Sequence, residues 1–378
     1  MYIKELEAWL CHFPLPAPFK PSWIPDYPQT KNSCIIVIIR TDTGVEGISA
    51  GVGFADEAGG LPSMLRPFLI GRDPLKIEDH IQTLRSAYML GYKAFFVELA
   101  LWDILGKTAG LPIYRLLGGG PDKIPVYAST GELHNAQKRA DEVLALREQG
   151  FRAVKLRIRW NDMKKDIECV RVVREAVGDT MDIMVDANQG WPINGIGSWP
   201  RWDLKRAMQT ARAFEELNVR WLEEPLYKHD YDGLAALRKY TTVPIAGGEF
   251  NTDLHEFRDL TARGCLDIVQ PDITLSGGIM MAKKVAAMAE SYNMQFSPHT
   301  WTNGIGLAAS LHVMAGVPNC PICEYPIEPP GWVPSARDFM LTEPILQDGK
   351  GFVKVPQKPG LGVELNMDAI RACGTQIK

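Results

Sequence analysis

Three carboxylates close three successive apolar runs: Asp186 in IMVDANQG, Glu223 in VRWLEEPL and Glu249 in VPIAGGEF. Each run is followed by a stretch with helical character. In a parallel β/α barrel the C-terminal ends of the strands share one face, so acids placed there converge. Converging carboxylates repel one another unless a cation lies among them. An all-oxygen ligand set suits Mg²⁺ better than zinc or copper. A single carboxylate in such a place would cap the next helix and nothing more. Three of them, 37 and 26 residues apart, each one barrel unit after the last, point instead to a hard divalent metal that stabilises an anion. Glu224 rivals Glu223 as the middle ligand, because side chains alternate along a strand and only one of the pair faces inward.

The flanking runs add groups that move or neutralise charge. Lys155 and Arg157 in VKLRI are two apart, hence on one face of their strand, where they present positive charge to a substrate carboxylate. Asp272 closes IVQPD and His299 closes FSPH, again about one barrel unit apart. A carboxylate beside a histidine fixes its tautomer and raises its basicity, which makes a general acid/base dyad. Glu324, in CEYP at the last strand, would hydrogen-bond an anionic intermediate if it were protonated. Asn188 lies two residues beyond Asp186, faces the same way, and is a candidate substrate contact.

These residues need a scaffold that lines up strand ends. Between about residues 124 and 325, strand-like and helix-like runs alternate through eight units: IPVYAS, FRAVKLRI, MDIMVDAN, RWLEEP, VPIAGGE, LDIVQPD, MQFSPH and ICEYP. Eight such units match a closed parallel barrel. The segment WPINGIGSWPRW lengthens one loop on the active face. Before the barrel, residues 1 to about 60 are β-like, with the β-branched run CIIVIIR and the glycine-rich VEGISAGVG, and a helical region follows from Pro74 to Leu117. Residues 14–28 hold six prolines in fifteen positions, so they are expected to be an irregular loop, either a rigid strap or a lid whose Lys20, Trp23 and Tyr27 touch substrate.

The bulk composition narrows the functional classes. A chain of 378 residues suits two domains, or a barrel with a satellite. A net charge of −4, with 23 % charged residues, gives no reason to expect nucleic acid. No apolar run is long enough to span a bilayer, so no membrane is expected either. The N-terminus lacks the marks of a signal peptide, and seven scattered cysteines suit reduced thiols, so a cytoplasmic location is expected. Cys320 and Cys323 form a CPIC, read here as packing rather than redox chemistry.

The motifs ALWDILGK, GLPIYRLLGG, VDANQGW, WLEEPL with HDYDGL, GGE, QPDITLSGG and SPHT together resemble the enolase superfamily, within it the mandelate racemase subgroup, over nearly the whole chain. The resemblance implies an α+β capping domain, residues 1–122, with residues 346–378 packing back on it, and a modified (β/α)7β TIM-like barrel over 123–345. It implies Mg²⁺ on Asp186, Glu223 and Glu249, with Glu223 preferred to Glu224, a His299–Asp272 dyad, and Glu324 as partner of the enediolate oxygen. Racemases of this subgroup carry Lys-x-Lys on the second barrel strand, with the second lysine as base. Here that position is Arg157, which stays protonated and clamps carboxylates rather than accepting protons. One-sided chemistry from His299 is therefore expected: dehydration of a sugar acid such as L-lyxonate, D-galactonate, L-fuconate or L-rhamnonate to a 2-keto-3-deoxy acid. Lys155 as base on the opposite face, racemisation or epimerisation, cycloisomerisation and a non-enzymatic relative remain alternatives. The expected partners are an acid-sugar substrate held partly by Asn188, Lys20 and Trp23, and further copies of the chain.

Overall fold

The computed structural model describes residues 1–24, 26–53, 55–191 and 200–377. Residues 192–199, most of the WPINGIGSWPRW insertion, lie outside the described residues.

The first part of the chain forms an antiparallel sheet from β1 (Ile3–Phe19), β2 (Gln29–Thr41) and β3 (Glu46–Val52). Its buried face comes from the β-branched run of β2, Ile35–Ile39, every residue of which is inaccessible to water. The glycines of β3 have a packing reason. A side chain at Gly47 would strike the carbonyl of Ala100, and one at Gly51 the ring of Phe96, so the helix Glu98–Ala109 lies directly on the strand. The expected loop over 14–28 needs correction, because β1 runs straight through Pro14, Pro16 and Pro18 to Phe19. These prolines are two apart, so their missing N–H groups lie on one side of the strand. The outer neighbour of β1 pairs only with Ala8–Cys11, which leaves the proline stretch as an edge. Irregular chain begins at Lys20.

The barrel is built from β4 (Lys123–Ser129), β5 (Ala153–Arg157), β6 (Asp182–Asp186), β7 (Val219–Glu223), β8 (Ile245–Gly247), β9 (Ile268–Val269), β10 (Gln295–Phe296) and β11 (Cys323–Pro326). Neighbours in this order are parallel, and β11 returns to pair with β4. Between β10 and β11 the seam is held differently: Phe296 N–H donates to Asn319 O at 3.0 Å, and Ser297 Oγ to Ile322 O at 2.9 Å. Helices cover the outside, and their starts follow from sequence. Asn135, Asp162, Asp203, Asp230, Asp253 and Asn303 each accept a backbone N–H at a helix N-terminus. Inside, Tyr127, Ala153, Met184, Trp221, Ala246, Ile268 and Ile322 form a separate apolar plug, a floor on which polar side chains can be fixed.

The tail serves both parts. β12 (Phe352–Lys354) adds antiparallel to β4, and β13 (Gly374–Ile377) adds to β1. A second tie is Glu98, fully buried, whose carboxylate accepts Ile279 N–H at 2.7 Å and Met280 N–H at 3.0 Å in the first turn of the barrel helix Gly278–Ser291. Gly278 (φ +88°) permits this, because a Cβ there would sit 2.3 Å from Glu98 Oε2. Among the described residues no helix is long and apolar enough to cross a membrane.

Candidate active site

The strand ends deliver the acids together. Asp186 and Glu223 are the last residues of β6 and β7 and are direct register partners. Glu249 lies two residues beyond β8. One oxygen from each of the three lies within 4.8 Å of the others, and all three side chains are buried. Glu224 turns away: it adopts φ +46°, where an L-residue is strained by about 1–2 kcal/mol, and its side chain lies against Gly190.

The donor set fits a hard cation. Burial pushes the carboxyl of Asp186 up to about 7 despite Arg157 beside it, and burial likewise raises Glu249. Both are acids whose surroundings resist their charge, which a divalent ion among them would relieve. The cage is shaped by hydrogen bonds from outside it. Asn188 donates to Asp186 through its N–H at 2.7 Å and Nδ2 at 3.1 Å. Gln270 Nε2 donates to Glu223 at 2.9 Å, and Trp191 Nε1 to Glu249 at 2.8 Å.

Lys155 and Arg157 face inward as alternation requires, but both are committed to protein partners. Lys155 Nζ lies 2.7 Å from Glu223 and 2.7 Å from Glu324, with no solvent exposure. Burial opposes its charge, yet the two carboxylates outweigh burial and hold it above the ordinary lysine range. Its ammonium is thus paired with two carboxylates, one of them the expected ligand Glu223. Arg157 bonds Asp186 and donates through Nε to Thr130 O at 2.7 Å. Its guanidinium lies beside a pair of packed indoles, 5.3 Å from the ring centres of both Trp23 and Trp301, which are 5.4 Å from each other. The carboxylate it clamps thus belongs to the candidate cage of the protein itself.

His299 and Asp272 lie three residues beyond β10 and β9, and Nδ1 meets Asp272 Oδ2 at 2.8 Å. Asp272 is fixed by the hydroxyl and N–H of Thr274 and the N–H of Leu275 on its other oxygen. His299 Nε2 points to Glu249 Oε2 at 3.2 Å. Burial works against a charged ring, but the carboxylates of Glu249, Glu324 and Asp272 push it up to about 10.

The expectations for Glu324, Asn188, Lys20 and Tyr27 change. Glu324 is the second residue of β11, not its end, and it is held ionised. Burial raises it, but Lys155, His299 and Arg157 outweigh burial, and Ser129 Oγ and Thr300 N–H each donate to it at 2.7 Å. Asn188 is first of all a support for the cage, since Nδ2 donates to Asp186 and Oδ1 accepts Ser22 Oγ at 2.9 Å, which leaves one N–H of Nδ2 for another partner. Lys20 is exposed, and its backbone N–H, not its ammonium, is tied down, by Glu132 at 2.6 Å. Tyr27 is 68 % exposed and does not join the site. Trp23 alone of the proposed lid residues reaches it.

Sequence reasoning did not single out Ser22, Trp301, Trp191, Gln270, Ser129 or Thr300. Trp191 and Gln270 had a signal, because each stands within a motif that carries a ligand or a dyad residue, NQGW and QPD. Ser22 had none, as it meets Asn188 from 166 residues away.

A second cluster lies on the same side of the barrel, beyond β4 and β11. Single oxygens or nitrogens of His134, Glu142 and Glu328 lie within 4.8 Å of one another. Here Arg139, buried, takes Glu328 through Nη1 and Nη2, both at 3.1 Å, and the N–H of Glu132 donates to Glu328 at 2.9 Å. His134 bridges Glu142 at 2.8 Å and Glu132 at 2.9 Å.

Comparison with known proteins fits this geometry. The model of the mandelate racemase / muconate lactonizing enzyme N-terminal domain matches residues 14–118, and the enolase C-terminal domain-like model matches residues 138–369. D-galactarolactone cycloisomerase of Agrobacterium fabrum is 30 % identical over 89 % of this chain and 90 % of its own length. L-talarate/galactarate dehydratase of Salmonella typhimurium is 31 % identical over 91 % of this chain and 83 % of its own. Among solved structures, L-talarate dehydratase of Polaromonas sp. JS666, complexed with Mg and L-glucarate, superposes with a TM-score of 0.84 at 28 % identity, covering 100 % of this chain and 99 % of that one. The two family models together cover most of the chain, and the fold superposes on a structure complexed with Mg: the chain belongs to the enolase superfamily, in its mandelate racemase / muconate lactonizing enzyme family.

Proposed function

We propose that this protein is a Mg²⁺-dependent hydro-lyase that dehydrates a sugar acid, an aldonate such as L-lyxonate, D-galactonate, L-fuconate or L-rhamnonate, to a 2-keto-3-deoxy acid. Asp186, Glu223 and Glu249 would hold the ion. When bound, it supplies Lewis-acid stabilisation of the negative charge that develops on the substrate carboxylate as the α-proton leaves.

The observation that carries the reading is the asymmetry of proton-transfer groups around the cage. On one side His299, oriented by Asp272 at 2.8 Å, turns Nε2 toward the acids. On the other, Lys155 is paired with Glu223 and Glu324, and Arg157, which stays protonated, bonds Asp186 beside two indoles, so His299 is the better placed base. A site with one base favours elimination over two-sided inversion. The strongest upward pull on the basicity of His299 comes from Glu249, itself an expected ligand. With Glu249 engaged as a ligand that pull would be weakened, and His299 would present Nε2 as the acceptor of the α-proton. The imidazolium, held by Asp272, then gives the proton to the departing 3-hydroxyl, a syn elimination. Lys155 and Arg157 keep positive charge beside the substrate carboxylate throughout. The relatives named as dehydratases of sugar acids support the substrate class.

The test is a library of acid sugars incubated with the protein and Mg²⁺, with 2-keto acid trapped by semicarbazide, repeated in D₂O. The expected result is 2-keto acid from a restricted set of aldonates. Recovered substrate of inverted configuration carrying α-deuterium, without 2-keto acid, would replace the reading with epimerisation.

A further inference from the structure

Cysteines 11, 34 and 373 are far apart in sequence, yet they meet at one edge of the cap sheet. Cys11 in β1 is the direct register partner of Cys34 in β2. Antiparallel partners have Cα atoms roughly 4.5–5.5 Å apart, inside the window of about 4.4–6.8 Å in which a disulfide closes without backbone movement. On its other side Cys11 pairs with Gly374, the residue after Cys373. A Cβ at Gly374 would lie 2.8 Å from Cys11 Sγ, so the sulfur leans over this edge, and only glycine leaves it room. Cys11 exchanges side-chain hydrogen bonds with both Cys34 and Cys373, the contact with Cys34 being the larger influence, and together they lower the Cys11 thiol below its ordinary value. Cys11 and Cys34 are buried, while Cys373, the last residue of the helix Met367–Cys373, is partly open to water.

The other four cysteines differ from this group in position rather than in acidity, since burial also raises the thiol of Cys373, to about 11, and contact with Cys11 together with burial raises that of Cys34. Burial pushes the thiols of Cys169 and Cys265 up to about 11. In the CPIC, burial raises both thiols, and Cys323 Sγ already donates to Glu324 O at 3.3 Å. The thiols that meet are thus not the pair that looks like a redox motif in the sequence but three that no spacing rule connects.

We propose that Cys11, Cys34 and Cys373 form an oxidisable thiol site, in which a peroxide closes one intrachain disulfide with Cys11 as a member. Hydrogen peroxide reaches the open thiol of Cys373 first. Its O–O bond breaks, an S–O bond forms, and one water leaves, giving the sulfenic acid. The sulfur of Cys11 then attacks that sulfur, the S–O bond breaks, and the hydroxyl departs as a second water with the proton of the Cys11 thiol. Two thiols and one peroxide become one disulfide and two waters. Attack of Cys34 on the Cys11 sulfur moves the bond to Cys11–Cys34 and frees Cys373 as a thiol. The Cys11–Cys34 bond joins strands already paired, and the Cys11–Cys373 bond fastens the C-terminal segment to the first strand beside the existing pairing of Cys11 with Gly374.

The experiment uses the full chain, treated with a small excess of hydrogen peroxide, then unfolded and titrated for thiols, with peptide mapping by mass spectrometry. The expected result is a fall from seven thiols to five, reversed by dithiothreitol, with Cys11 linked to Cys373 or Cys34. Cys373→Ser removes the open entry point and is expected to slow the loss by at least about tenfold. Cys11→Ala is expected to leave no disulfide within the group. Because Cys11 is buried and its variant can fail to fold, the surface variant carries the test by itself. Seven thiols after treatment, a link between chains, a link to Cys169, Cys265, Cys320 or Cys323, or oxidation of Cys373 beyond the sulfenic acid without a disulfide would each overturn the proposal.

Discussion

Two clusters beyond the barrel strands hold acidic side chains near enough to share a metal ion, and they settle their charge in opposite ways. In the cluster of Glu132, Glu142 and Glu328, every carboxylate meets a cation or a backbone donor: Arg139 forks onto Glu328, and His134 spans Glu132 and Glu142. In the cluster at the ends of β6 to β8, Asp186, Glu223, Glu224, Glu249, Asp272 and Glu324 outnumber Lys155, Arg157, Arg159 and His299, and burial pushes Asp186 up to about 7. Proximity of carboxylates is common to both. Charge left over after the protein's own cations are spent distinguishes the site that calls for an external ion.

The largest expected difference between the clusters is in turnover. Asp186→Asn should cost on the order of 10³-fold or more, since Lewis-acid stabilisation is worth several kcal/mol. Glu142→Gln should stay within about threefold of wild type, as surface-cluster changes away from the chemistry do. Semicarbazide-detected rates decide, and equal losses in the two variants would erase the distinction. His299→Asn should lose about 10²–10⁴-fold while Mg²⁺ affinity, followed by calorimetry, is kept. Substantial dehydration remaining in that variant would reject the dyad.

For stability the order reverses. Glu328→Gln leaves Arg139 buried beside an amide, and breaking a buried ion pair costs about 3–5 kcal/mol, measurable by urea denaturation. Mg²⁺ at a hundredfold its dissociation constant should stabilise the wild type by about 2.7 kcal/mol and leave Asp186→Asn unmoved. The smallest effect is a pH dependence. Burial opposes the charge of His134, but its hydrogen bonds to Glu132 and Glu142 outweigh burial and raise its affinity for a proton. A histidine with a raised folded pKa contributes stability that is complete below its ordinary value of about 6.5 and is lost as pH climbs through the folded value. Melting temperature should therefore fall more steeply above neutrality in the wild type than in His134→Gln. Parallel curves would show that the second cluster is not held by this ion pair.

The difference between the clusters also marks how far the sequence could be read. Asp186, Glu223, Glu249, Asp272 and His299 were legible because a barrel repeats, and a repeat converts spacing into a shared face. Lys155 and Arg157 were placed correctly on that face, but what they bind was not visible, since Glu324 and the two indoles come from distant parts of the chain. Residues 14–19 were misjudged because proline was weighed only against a helix and a central strand, and the edge strand was passed over. An edge strand that lacks a second neighbour has no use for the missing N–H groups. Asn188 and Lys20 were chosen for their chemistry alone, and hydrogen bonds to Ser22 and Glu132 redirected them. The second cluster left no sequence pattern, for Glu328 meets Arg139 from 189 residues away.

The buried contact of Glu98 with the first turn of the helix Gly278–Ser291 bears on how such a molecule can be re-engineered. That helix begins six residues after Asp272, and Gly278 N–H already closes the intervening turn onto Ile273 O. The footing of the catalytic dyad is thus supplied from the opposite half of the chain. A chimaera that borrows a foreign cap to change substrate range has to import an acidic side chain at position 98 with it, or the transplanted specificity will arrive on a barrel whose proton-transfer pair has come loose.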